Sequence, residues 1–76
     1  MKDKILSILS EIRPEFDFSE DVNFFEEGML DSFDIVTLIA ELETQFDIKI
    51  AGIDVTPENF STIDSIEALV KKSGTR

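Results

Sequence analysis

The chain contains no cysteine and no histidine. Without cysteine there is no disulfide and no thiolate metal ligand. Without histidine the commonest general base and the commonest metal-binding imidazole are missing as well. What remains for chemistry is carboxylates, hydroxyls and a few lysines. No stretch approaches the roughly 18 apolar residues of a membrane span. The two lysines near the N-terminus are not followed by the apolar core of a signal peptide. The expectation is a soluble, cytoplasmic chain without membrane insertion. Internal repeats and low-complexity segments are also lacking. So is positive charge in the centre, where no Lys or Arg occurs between Pro14 and Ile48.

Acid is abundant instead. The net charge is −10 over 76 residues. Eleven acids lie in the stretch without bases: Glu15, Asp17, Glu20, Asp21, Glu26, Glu27, Asp31, Asp34, Glu41, Glu43 and Asp47. Such a surface repels nucleic-acid phosphates and anionic lipid, and it speeds encounter with basic patches on partner proteins. Solubility alone is the competing explanation. Mutual repulsion predicts carboxylates that titrate above their ordinary values, and hence stability that rises as pH falls from 7 towards 5. The length allows a single domain, which buries only about 60% of its unfolded surface.

Apolar spacing organises the chain. Ile5, Leu6, Ile8, Leu9 and Ile12 predict a helix over residues 2–13, ended by Pro14, with Arg13 suited to its C-terminal dipole. Residues 14–31 show no sustained period and read as a long loop, packed by its own phenylalanines, with Gly28 available for a positive-φ turn. Residues 32–46 read as a second helix with the stripe Ile35, Leu38, Ile39, Leu42 and Phe46. Asp31 suits its N-cap and Asp34 the third helical position of a capping box. Phe33, Val36 and Ala40 form a row beside that stripe, either wrapped by the bundle or left exposed for a partner. Residues 47–56 read as loop, with no second strand to pair. Thr56-Pro57 opens a short helix to about Phe60, Ser61 or Thr62 caps a last helix over about 62–72, and residues 73–76 form a frayed tail. Three main helices plus one short helix can bury these stripes only as a small all-α bundle.

The candidate for chemistry is the junction Gly28-Met29-Leu30-Asp31-Ser32-Phe33-Asp34. Helical register begins at Ser32, so its hydroxyl stands at a helix start, where an attached group swings free. A serine there ordinarily acts as a cap. A catalytic serine needs an adjacent base, and Asp31 and Asp34 read as solvated acids of low pKa. Ser32 is therefore a cap or the substrate of another enzyme. A phosphate joined to it would be favoured by the helix dipole and opposed by the two acids. The acids lack the spacing of a calcium loop, so no metal is assigned. A bundle this small offers no cleft for paired-carboxylate glycoside chemistry.

Leu30-Asp31-Ser32-Phe33 opens the second helix, Glu43-Thr44-Gln45-Phe46-Asp47-Ile48 closes it, and Phe60-Ser61-Thr62-Ile63 enters the last helix. This combination resembles the acyl and peptidyl carrier proteins over nearly the whole chain. Residues 28–33 and the long connection from Ile48 to Phe60 are most similar to the stand-alone D-alanyl carrier proteins. Asp34 stands where that branch commonly has glycine, and Phe60 where it often has tryptophan. The resemblance implies one non-catalytic carrier domain over residues 1–76. Ser32 would bear 4'-phosphopantetheine, taken from coenzyme A, and hold an acyl or aminoacyl group as a thioester. The missing cysteine fits, because the thiol arrives with the arm. Asp31 would be the motif acid. Phe33, Val36 and Ala40, with Glu41 and Glu43 nearby, would form the partner face, plain core packing being the other reading of Phe33 and Val36. The implied partners of a monomer are a phosphopantetheinyl transferase, an adenylating ligase or other loading enzyme, and a downstream acyltransferase or synthase. D-alanine on its way to teichoic acids would be the cargo in that branch. An unmodified acidic adaptor domain that binds a basic partner protein is the rival reading.

Overall fold

The computed structural model describes residues 1–75. Its elements are α1 (Lys2–Ile12), α2 (Ser32–Phe46), β1 (Ile48–Lys49), two 3-10 turns (Gly52–Asp54 and Pro57–Phe60), α3 (Ile63–Lys72) and β2 (Gly74–Thr75). The molecule is thus mainly helical, and the short helix expected after Thr56 is one of the 3-10 turns. α1 packs against both α2 and α3. Ile5 and Leu9 of α1, Leu38 and Leu42 of α2 and Ile66 of α3 are completely buried where the three apolar stripes meet. No helix among the described residues is long and apolar enough to cross a membrane.

The long loop 14–31 is held by its phenylalanines. Phe18 and Phe24 are buried and meet edge to face, with ring centroids 5.1 Å apart. The backbone is fixed too: the Phe24 amide donates to the Ser61 carbonyl at 2.7 Å, and the Phe24 carbonyl accepts from Met29 at 2.8 Å. This ties the loop to the entry of α3 and brings the chain back to the start of α2. Gly28 has φ 73°, the left-handed turn anticipated for it.

Two expectations are corrected at the ends of this frame. The segment after α2 is not all loop, and the tail is not frayed from residue 73. Ile48 pairs with Thr75 and Lys49 with Gly74 in an antiparallel ladder. Before it, the Ser73 amide and hydroxyl both donate to the Leu69 carbonyl. Two-residue strands are too short to show a period in sequence, and these partners lie far apart along the chain. Arg76, the last residue of the expected tail, lies outside the described residues.

Candidate functional site

α2 begins as its capping residues dictate. Asp31 has extended backbone, and its Oδ1 accepts from the Phe33 and Asp34 amides, each at 3.0 Å. Asp34 completes a reciprocal capping box by accepting the Asp31 amide on Oδ2 at 3.0 Å. Capping thus falls to Asp31, and Ser32 is the first helical residue instead of the cap. Its side chain is exposed, and among the described residues nothing hydrogen-bonds its hydroxyl. The hydroxyls of Ser61, Ser65 and Ser73 are tied to Glu58, Thr62 and Leu69 respectively.

Arg13 was missed as part of this site. It is the C-cap of α1, with φ −134°, and its amide closes the last turn by donating to the Leu9 carbonyl at 2.9 Å while its side chain leaves that helix. Its guanidinium crosses to α2. Nε donates to Asp34 Oδ2 at 2.9 Å and Nη2 to Asp31 Oδ2 at 3.2 Å, while Nη1 reaches Glu15 at 3.5 Å. Asp34 is therefore not the solvated acid of the sequence reading: it is 8% exposed and doubly bonded. Asp31 keeps a half-exposed carboxylate whose pKa is lowered, chiefly by the Asp34 amide, then by the Phe33 amide and the charge of Arg13, against the cost of partial burial. The Arg13 pKa is raised in turn, first by its hydrogen bond to Asp34. A lone arginine carries little periodic signal. The only clue in sequence was that it is the last base before the acidic stretch.

The other named residues divide. Phe33 and Val36 are 84% and 68% exposed, and Ala40 is exposed beside them, which excludes core packing for the first two. An apolar groove of about 250 Å³ opens next to Ser32 and Val36, between α2 and the segment Val55–Pro57, and Phe25 also lines it. Glu41 is half-buried on the side of α2 that faces α1, near Glu11 and Asp34. Glu43 lies elsewhere, its Oε2 accepting the Ile50 amide at 2.9 Å. The two glutamates are thus not neighbours of one exposed face.

A free hydroxyl at a helix N-terminus, with an open groove beside it, has room for a covalently joined phosphate at the positive end of the helix dipole. Among the described residues no basic group is hydrogen-bonded to the Ser32 hydroxyl.

Residues 3–72 match the family described as "Phosphopantetheine attachment site". The chain is 38% identical over 74 residues to the D-alanyl carrier protein of Lactococcus lactis subsp. cremoris, covering 95% of this chain and 94% of that protein. It is 36% identical to the D-alanyl carrier protein of Lactococcus lactis subsp. lactis over 74 residues, with the same coverage of both chains. With the protein of that name from Staphylococcus saprophyticus it shares 32% identity over 73 residues, 93% of this chain and 94% of the relative.

Proposed function

The chain belongs to the phosphopantetheine-attachment family and is an acyl carrier with a covalent 4'-phosphopantetheine arm, and from that premise we propose that Ser32 bears the arm and that D-alanine is the group carried. When bound, the arm supplies the thiol that the sequence lacks. The chain contributes the rest. Asp31 and Asp34 fix the start of α2, Ser32 presents its oxygen to solvent, and the exposed row Phe33, Val36 and Ala40 offers α2 to partner enzymes. The observation that carries the assignment is the exposed Ser32 hydroxyl at the first helical position, relieved of capping by Asp31.

In this reading the chain catalyses nothing. It is the substrate of a phosphopantetheinyl transferase, then of an adenylating ligase, and finally of an acyltransferase that works towards teichoic acids. The D-alanine assignment rests on the names of the relatives and on the similarity at residues 28–33.

The test is intact-protein mass after incubation with coenzyme A and a phosphopantetheinyl transferase. The unaltered chain should gain one arm and Ser32→Ala none. Because Ser32 does not cap, the substitution should change stability by no more than about 0.5 kcal/mol. An arm on the Ala variant, or on Ser61 or Ser65, overturns the assignment. A chain that takes no arm yet binds a basic partner would be the unmodified adaptor. Loading of the armed chain by the ligase with D-alanine, in competition with other amino acids, tests the cargo.

A further inference from the structure

We propose that Arg13 is a positioning residue for arm attachment: its guanidinium neutralises and orients the two aspartates around Ser32 so that an anionic phosphoryl donor can reach the serine. This deepens the Ser32 assignment and rests on it.

The argument begins with charge. Ser32 has Asp31 immediately before it and Asp34 two residues after it. The group that has to arrive is also anionic. In attachment the Ser32 oxygen forms a bond to the phosphorus that bears the pantetheine half of coenzyme A. The pyrophosphate P–O bond breaks, adenosine 3',5'-bisphosphate leaves, and the hydroxyl proton passes to a base of the transferase. Negative charge at both carboxylates would oppose that approach. Solvent cannot relieve Asp34, which is 8% exposed. Arg13 is the last base before Lys49 in the sequence, and its fork holds both acids, at 2.9 Å and 3.2 Å.

Orientation follows from the same contacts. Oδ1 of Asp31 accepts the Phe33 and Asp34 amides, while its Oδ2 is taken by Arg13. The carboxylate plane is fixed at both oxygens, and with it the backbone from which Ser32 projects. A planar, bidentate guanidinium does this; the point charge of a lysine does not.

The experiment measures the rate of arm attachment by intact mass, with a phosphopantetheinyl transferase and coenzyme A. Circular dichroism establishes a temperature at which each variant is folded. Arg13→Gln should lower kcat about tenfold, the scale of one unit charge in partly solvated surroundings, and should leave KM for the carrier nearly unchanged. Arg13→Lys should fall between. Arg13→Gln combined with Asp34→Asn should recover most of the rate, since the asparagine oxygen still accepts the Asp31 amide while the net charge returns. A purely structural role would lower the melting temperature and leave kcat of the folded chain unaltered.

An unchanged kcat in folded Arg13→Gln overturns the proposal, and so does a double variant no faster than the single one. A lowered KM with kcat intact also overturns it, because Arg13 would then merely mask Asp31 from the partner. If Arg13→Gln does not fold, the double variant is compared with Asp34→Asn alone, whose site is one unit less negative; kcat should be lower in the double variant than in Asp34→Asn, and an equal kcat refutes the idea. Ser32→Ala is run alongside. An arm on that variant sinks the serine assignment itself, whereas no arm there and normal attachment to Arg13→Gln sinks only the role of Arg13.

Discussion

At the scale of single residues, two aspartates three positions apart do different work. Asp34 is buried and bonded to Arg13 and to the Asp31 amide. Asp31 is exposed on one side and caps α2. Its pKa is lowered from an ordinary 3.8 by the Asp34 amide first and by other local donors after it. A carboxylate whose folded pKa lies below its unfolded one stabilises the fold above the unfolded value and ceases to do so as pH falls through the folded one. The contribution of Asp31 should therefore be fully present at pH 5 and lost below about pH 4. Unfolding of the unaltered chain and of Asp31→Asn by denaturant, from pH 5 to pH 2.5, checks this. Stability of the unaltered chain should drop more steeply in that window. Equal slopes would remove Asp31 from the acid response.

At the scale of elements, α2 turns one row inward and leaves another bare. Leu38 and Leu42 are fully buried, while Phe33 and Val36 stand in solvent. Leu42→Ala should cost about 2–5 kcal/mol, because it removes apolar contacts and leaves a cavity in the core, where Leu42 is fully buried. Phe33→Ala should alter stability by about 0.5 kcal/mol or less and slow loading by the partner enzymes. Denaturant melts beside loading rates separate the two. A stability loss in Phe33→Ala comparable to that of Leu42→Ala would place the ring in the core. Glu43 is a poor probe of docking, since Glu43→Lys also removes the acceptor of the Ile50 amide. The turn it holds begins at Asp47, whose φ of 53° sends the chain back from α2 into β1.

At the scale of the whole molecule, the net charge of −10 remains, but the described bases are mostly engaged within the fold. Lys2 pairs with Asp64, Lys71 with Glu67, Lys72 with Asp54, and Arg13 with three acids. The expectation of carboxylates raised by mutual repulsion is corrected at Asp17 and Asp31, both of which are lowered. At Asp17 the cause is the Ser19 hydroxyl and then the Ser19 amide. Local hydrogen bonds outweigh the diffuse field at these residues because exposed charges are screened within about 10 Å at ordinary salt. The acids of the loop, Glu20, Asp21, Glu26 and Glu27, face solvent. Loading should accordingly weaken with salt, chiefly through slower association. Stopped-flow measurement from 20 to 500 mM salt, roughly a fivefold change in screening length, tests this. A flat association rate would show that the acidic surface plays no part in encounter.

The sequence by itself determined the three helices, the start of α2 at Ser32, the phenylalanine-packed loop and the membership of the chain in its family. Each of these is written locally, in apolar spacing, in caps such as Asp31 and Thr62, or in short motifs read along one element. Tertiary structure alone decided the rest. It placed Arg13 against acids 18 and 21 residues away, buried Asp34, left Phe33 outside and the Leu38 row inside, separated Glu41 from Glu43, and paired Ile48 with Thr75. The physical reason is range: a single long-range ion pair or a two-residue ladder has no period, and a charge shows its partner only when the chain has folded back to supply one.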